Sequence, residues 1–156
     1  MRHFLIATAL ILPSPVLAQG IVPQDGTWTS TAEVTGFSDA CPDEIQPILD
    51  QMSAAFDQTE EHQIVWDGTF DPNTLPGNSG DGIVWTQVTD TDWTGLLAPA
   101  EMGTTLADVT MGIRGPDRIE SEIEMYVGAL LAARGMALSG LDDCTARIAM
   151  NWTAGD

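Results

Sequence analysis

The sequence predicts a mainly β fold, a small antiparallel barrel or sandwich of about six to eight strands with one α-helix after the first strand. Short segments alternate apolar and polar residues, and clusters of Gly, Pro, Asn and Asp separate them. One segment near the start of the chain has helical periodicity instead. The length of 156 residues suits a single domain.

The first 18 residues have the pattern of a signal peptide. Met1-Arg2-His3 is cationic, Phe4 to Leu12 is apolar, and Val16-Leu17-Ala18 provides residues suited to cleavage. A membrane-spanning helix needs roughly 20 apolar residues, which is more than this run contains. We therefore expect cleavage near Ala18, which leaves residues 19–156 as one exported domain, periplasmic or secreted.

The first two elements follow from a change of period. From Gly26 to Phe37 the residues alternate, and the β-branched threonines favour a strand. Apolar residues then recur at helical spacing up to Phe56, and Pro47 fits the first turn of that helix.

The middle of the chain is predicted to be β. Gln63 to Phe70 and Ile83 to Thr89 resemble strands, and a loop rich in Pro, Gly and Asn joins them. Thr91 to Leu97 follows a sharp corner and is expected to form another strand.

The most regular pattern predicts a hairpin. Leu106 to Ile113 and Arg118 to Val127 alternate on either side of a four-residue turn. Glu120, Glu122 and Glu124 share one face of the second strand, where we expect them to be solvated. The segment after it, Gly128 to Leu138, can form at most a turn or two of helix, and Cys144 to Trp152 is the last expected strand.

Two cysteines allow only one intramolecular disulfide, between Cys41 and Cys144. Exported domains commonly contain such bonds. A zinc site is not expected, because two Cys and one His without short spacing do not form a tetrahedral set.

The charge excludes two classes of partner. The chain has 23 Asp and Glu, 5 arginines and no lysine, for a formal net charge of -18. Nucleic acids and anionic membranes are recognised by clustered Lys or Arg, so neither is an expected partner. With 44% hydrophobic residues, the chain is also too apolar to be a disordered acidic tail.

Three tryptophans and one arginine are candidate ligand-binding residues. Trp66, Trp85 and Trp93 fall in the predicted β region and, together with Trp152 of the last strand, are expected to line a cavity, since ligand pockets are rich in aromatic side chains. Gly26-Thr27-Trp28 is similar to the opening of lipocalin-type barrels, in which the tryptophan fills one end and a late-strand arginine covers it. That resemblance implies the covering role for Arg147, although the early helix departs from the lipocalin pattern.

A second candidate site would bind calcium, which prefers oxygen ligands and is met by acidic exported proteins. Oxygen-bearing side chains occur in and after the long loop, and the candidate ligands are Asp71, Asn73, Asp81, Asp90 and Asp92. The loop does not match the EF-hand pattern, and turn capping by Asp and Asn is the ordinary explanation.

The proposed function at this point is a non-enzymatic exported domain that binds a small ligand or a partner protein. One alternative is a calcium-stabilised structural or interaction module. The other is a hydrolase using Asp90, Asp92 or His62, although no nucleophile motif such as G-x-S-x-G is present. A catalytic His62 would need an orienting acid, and a solvated surface histidine is the simpler expectation.

Overall fold

The computed structural model describes residues 20–78, 82–100 and 103–155, which form the predicted mainly β fold with a helix after the first strand. Two single-turn 3-10 helices, Asp43–Ile45 and Pro72–Thr74, accompany the main elements. The main elements are β1 (Gly26–Phe37), α1 (Gln46–Phe56), β2 (Gln58–Ile64), β3 (Ile83–Gln87), β4 (Asp92–Leu97), β5 (Ala107–Gly115), β6 (Arg118–Tyr126), α2 (Val127–Ala133) and β7 (Thr145–Ala154).

The seven strands form one open antiparallel sheet in the order β2-β1-β7-β6-β5-β4-β3. The closed barrel is therefore wrong, because β2 and β3 form two separate edges instead of pairing with each other. The sandwich, which was the other predicted architecture, is not observed either, because all seven strands of the described residues belong to one sheet. Helix α1 and residues 65–78 cover one face of the sheet, so its apolar side chains are buried without closure.

Alternation along the strands gives the sheet two unlike faces. We call the covered face the inner face; it carries Trp28 on β1, Met125 on β6 and Ile148 on β7, all buried. The opposite, outer face carries threonines and charged residues, including Glu122 and Thr110, which are exposed partners across β5 and β6.

Two clusters of buried side chains divide the inner face. The helical cluster forms where α1 and α2 pack on the sheet, with Leu49 and Leu131 against Ile148. The aromatic cluster forms under residues 65–78, where Trp66 and Leu75 pack against Trp152.

A disulfide ties the helical end to the last strand. Cys41 and Cys144 are bonded, with their Cα atoms 4.6 Å apart, as the sequence predicted. Cys41 precedes α1 and Cys144 precedes β7, so the bond fixes the helix connection against the centre of the sheet. Such a bond is consistent with an oxidising, extracytoplasmic compartment.

Strand β2 lies earlier than predicted. It spans Gln58–Ile64, whereas the sequence favoured Gln63 to Phe70. The apolar residues Val65 and Trp66 favoured the later position. However, Asp67 and Gly68 have positive φ angles of 51° and 79°, and the chain turns there. The actual strand is mostly exposed because it lies at an edge, so its hydrophobic pattern is weak.

Gly95 on β4 allows two inner-face side chains of β3 to pack flat on the sheet. A Cβ at this position would lie 2.8 Å from both the Trp85 ring and the Ile83 side chain.

The described residues contain no helix with the length and apolarity needed to cross a membrane.

Candidate functional site

A cavity of about 280 Å³ lies on the inner face between the helical and aromatic clusters. We call it the inner cavity. Strands β1, β2 and β7 form its floor, and the end of α1 and residues Pro76 and Gly77 border it. Its lining residues are Ser30, Ala32, Ala55, Phe56, Gln58, Glu60, His62, Pro76, Gly77, Met150 and Trp152.

The register of β1 with β2 brings the polar groups of this cavity together. His62 lies opposite Trp28, and Glu60 lies opposite Ser30. Alternation then points Gln58, Glu60 and His62 to the same face of β2.

His62 is held from three directions. Its Nε2 is 3.2 Å from Ser30 Oγ, within hydrogen-bond distance, and 3.5 Å from Glu60 Oε2. Its ring lies 5.3 Å from the Trp152 ring, and its side chain is only 18% exposed. The simple expectation of a solvated surface histidine therefore does not describe its surroundings.

The geometry around His62 differs from that of a hydrolytic triad. A triad places the nucleophile on one ring nitrogen and the orienting acid on the other. Here Ser30 and Glu60 approach the same nitrogen, Nε2. The arrangement is suited to presenting hydrogen-bonding groups to a ligand.

Trp152 contributes a buried indole to the same cavity. Its side chain is 2% exposed, and its Nε1 has no hydrogen-bond partner among the described residues. Buried polar groups are normally paired, so this N–H is an unsatisfied donor within the aromatic cluster.

Of the four tryptophans that were expected to line a cavity, Trp152 lines this one, whereas Trp66, Trp85 and Trp93 do not. Trp66 and Trp93 are buried in the aromatic cluster, where Phe70 lies between them with ring centres 5.1 Å and 4.6 Å away. Trp66 Nε1 donates to the carbonyl of Gln24 at 3.1 Å. Half-buried Trp85 lies over Gly95 near the edge of the sheet.

Arg147 lies on the outer face, opposite Glu124 of β6 and exposed. Trp28 is fully buried on the inner face. The sheet therefore separates the two residues, and the covering role that the lipocalin resemblance implied for Arg147 has no counterpart here.

The predicted calcium ligands have local partners where the structure describes them. Asp71 accepts hydrogen bonds from the backbone and side-chain amides of Asn73, both at 2.9 Å, and so caps a 3-10 turn. The Asp92 carboxylate accepts a hydrogen bond from Arg114, and Asp90 is exposed in the turn before β4. Asp81 lies outside the described residues.

Within residues 20–78, 82–100 and 103–155 there is no group of three or more His, Cys, Asp or Glu arranged to hold a metal ion. Calcium binding stays a prediction from the loop composition.

The outer face carries an ion-pair network across β4, β5 and β6. Arg114 Nη1 donates to Asp92 at 2.7 Å, and Arg114 Nε donates to Glu120 at 3.2 Å. Arg118 Nη2 lies 2.6 Å from the other oxygen of Glu120. Gly112 makes this possible, because a Cβ there would lie 2.3 Å from the Arg114 guanidinium.

Asp92 and Tyr126 are two acidic groups of the outer face with shifted pKa values. Hydrogen bonds from Arg114, Thr89 and Thr91 to the Asp92 carboxylate lower its pKa. Donation from the Tyr126 hydroxyl to Asp108 raises the tyrosine pKa, since ionisation would lose this bond and place two negative charges together.

The sequence analysis missed the polar side of the inner cavity, and one signal could have found it. His62 is the only histidine beyond the predicted signal peptide, and it alternates with Glu60 and Gln58. Extending the strand towards the N-terminus would have placed these three on one face. Their juxtaposition with Ser30 still depends on the pairing of β1 with β2.

Comparison with known proteins gives no match at a significant level among protein families, curated proteins or solved structures.

Proposed function

We propose that this chain is an exported, non-enzymatic domain that binds a small neutral or cationic organic molecule in the inner cavity. The observation that carries the proposal is the convergence of Ser30, Glu60 and His62 in a cavity with apolar walls. Ligand sites combine mostly apolar linings with a few positioned polar groups in this way.

The volume supports a small ligand. At about 280 Å³, the cavity lies just below the usual range for ligand pockets, which begins at about 300 Å³, so it suits only a small molecule. Phe56, Ala32 and Met150 provide apolar surface, and the hydrogen-bonding groups occupy the β2 side.

The charge supports a neutral or cationic ligand over an anion. The cavity lining includes the carboxylate of Glu60 and neither Lys nor Arg. The whole chain has a formal net charge of -18, which repels anions at a distance. Carboxylate and phosphate ligands are therefore disfavoured.

Export is part of the proposal. The signal-peptide pattern of residues 1–18 and the Cys41–Cys144 disulfide both support a location outside the cytoplasm. N-terminal sequencing of the mature protein should start at Gln19, and an intact Met1 would contradict cleavage.

The test is a binding screen by nuclear magnetic resonance with a panel of small aromatic and aliphatic amines, alcohols and carboxylates. We expect amines or neutral compounds to shift the amide resonances of Ser30, His62 and Trp152. The Ala32→Leu variant should lose this binding, because the larger side chain extends into the cavity.

Ala54→Leu is the matched control, since Ala54 is exposed on α1 and outside the cavity lining. Equal loss of binding in both variants would contradict a site in this cavity. A preference for carboxylates would overturn the ligand class, and absence of binding across the panel would count against the function.

A further inference from the structure

The two edges of the sheet differ in how well they are protected against pairing with another chain. Edge strand β2 carries Glu60 and Glu61 next to His62. Edge strand β3 has the sequence IVWTQ, with neither a charged residue nor a proline. Charges and prolines normally protect edge strands, so β3 is an open template for an added strand.

Three exposed aliphatic side chains lie beside this edge on the outer face. Val84 is 67% exposed and lies directly opposite Leu96 of β4, which is 50% exposed. Val88, one residue beyond β3, is 61% exposed. We call Val84, Val88 and Leu96 the β3 lip.

The β3 lip borders a groove whose other side is acidic. Val84 and Leu96 line one wall of this groove of about 360 Å³, and Asp108 lies on the opposite wall. Thr110 joins it to two further outer-face grooves, of about 450 Å³ and 170 Å³. Five carboxylates and two arginines line the three grooves, namely Asp92, Asp108, Glu120, Glu122, Glu124, Arg114 and Arg147.

The two arginines do not make this surface a binding site for anions, because carboxylates already neutralise or surround them. Arg114 is paired with Asp92 and Glu120, and Arg147 shares its groove with Glu122 and Glu124. The complement in charge is a basic segment, and the complement to the β3 lip is a row of apolar side chains.

We propose that the β3 edge and its groove bind an extended segment of a partner protein in which apolar and basic residues share one face, so that they occupy every second position. The segment adds an eighth strand beside β3 and forms main-chain hydrogen bonds with it. Its apolar side chains contact the β3 lip, and its basic side chains are attracted to the outer-face carboxylates.

A second copy of this chain is a poorer occupant. Each copy carries a formal net charge of -18, so two acidic outer faces would repel each other. The inference does not depend on the inner cavity, which lies on the other face of the sheet.

The test uses a short synthetic peptide in which valine and lysine take turns at every second position, with threonine between them, so that both point to one face of the added strand. The peptide is titrated into the disulfide-bonded protein and followed by amide resonances. We expect the largest shifts along Ile83–Gln87. Val84→Lys should weaken binding by about tenfold, because it places a like charge against the peptide and removes part of the β3 lip.

Val65→Lys is the matched control, since Val65 is 63% exposed and lies outside β3 and the grooves. It makes the same change of charge and should leave binding close to that of the unchanged protein. Equal weakening in both variants would show attraction by net charge alone and would overturn the proposal.

A second peptide keeps the lysines but replaces the central valines by proline, which cannot extend a sheet. Equal binding of both peptides would also overturn strand addition. Sedimentation of the protein alone should show a monomer, and a dimer broken by Val84→Lys would assign the edge to a second copy instead.

Discussion

At the scale of single residues, unusual environments are confined to a few positions on both faces of the sheet. His62 is packed against Trp152 on the inner face, and Arg114 lies over Gly112 on the outer face. The His62–Trp152 contact does not follow from residue type, because it needs β2 and β7, which are distant in sequence, to lie close together. Arg114 and Gly112 are neighbours on β5, and the guanidinium is held there by Asp92 of β4 and Glu120 of β6. The sequence offered His62 and Asp92 as candidates but could not supply their partners.

Tyr126 provides a test of the outer-face geometry, because it is the only tyrosine in the chain. Its pKa should be higher than the ordinary value of 10.0, since the hydroxyl donates to Asp108. An alkaline absorbance titration reports this residue alone. Asp108→Ala should lower the tyrosine pKa towards 10.0, and an unchanged titration would contradict the contact.

The raised tyrosine pKa also has a defined effect on stability. The contribution of the Tyr126–Asp108 contact to the free energy of unfolding is fully present below pH 10.0. It is lost as the pH rises through the higher folded-state pKa of Tyr126. The difference in stability between the unchanged protein and Asp108→Ala should therefore shrink in strongly alkaline solution.

Asp92 should make the protein more sensitive to acid. Its folded-state pKa is lower than the ordinary 3.8, so its favourable contribution is present above that pH and is lost as the pH falls through the folded value. Because Asp92 and Arg114 are both over one-third exposed, we expect at most about 1 kcal/mol.

Urea unfolding of the unchanged protein and of Asp92→Asn, compared from neutral pH down to below pH 3.8, measures this contribution. The two stabilities should converge at the acidic end. A difference that grows with acidity would contradict the assigned sign.

At the scale of elements, regular alternation was predictable and edge strands were not. The β5–β6 hairpin was evident because the two buried faces repeat every second residue over nine residues in each strand. The predicted position of β2 was wrong because six of its seven residues are at least partly exposed. A strand that buries little produces little hydrophobic signal, and its position is set by pairing with β1.

The disulfide is the element-scale feature with the largest expected effect on stability. It joins positions separated by 103 residues, and the loss of a crosslink over about 100 residues costs up to about 4.7 kcal/mol in the chain-entropy model. Replacing both cysteines by serine should lower the free energy of unfolding by about 2–5 kcal/mol.

Urea unfolding of the double variant measures this loss. Alkylation of the unchanged protein without reductant is the control and should label no thiol. Labelling of Cys41 or Cys144 under those conditions would contradict the bond.

At the scale of the whole molecule, the two faces of the open sheet differ in burial and in charge. The inner face provides the core and contains the inner cavity, whereas the outer face is solvated and carries much of the charge. The sequence predicted the fold class and the solvated glutamate row from periodicity. The open edges could not be predicted, because closure depends on whether β2 and β3 meet in space.

The net charge predicts a salt dependence of stability. With 23 acidic residues against 5 arginines, repulsion within the folded protein should exceed that in the expanded chain. Raising sodium chloride from low to moderate concentration screens this repulsion, so the urea midpoint should rise. A midpoint that falls steadily with salt would show that the ion pairs around Arg114 outweigh the general repulsion.

The position of β7 has a consequence for biosynthesis. This strand, which is the last of the sheet, lies between β1 and β6 and pairs with both. While a ribosome is still adding Thr145–Ala154, β1–β2 and β3–β6 can form only as two separate hairpin assemblies. The seven-stranded sheet can therefore be completed only after its last strand has been synthesised.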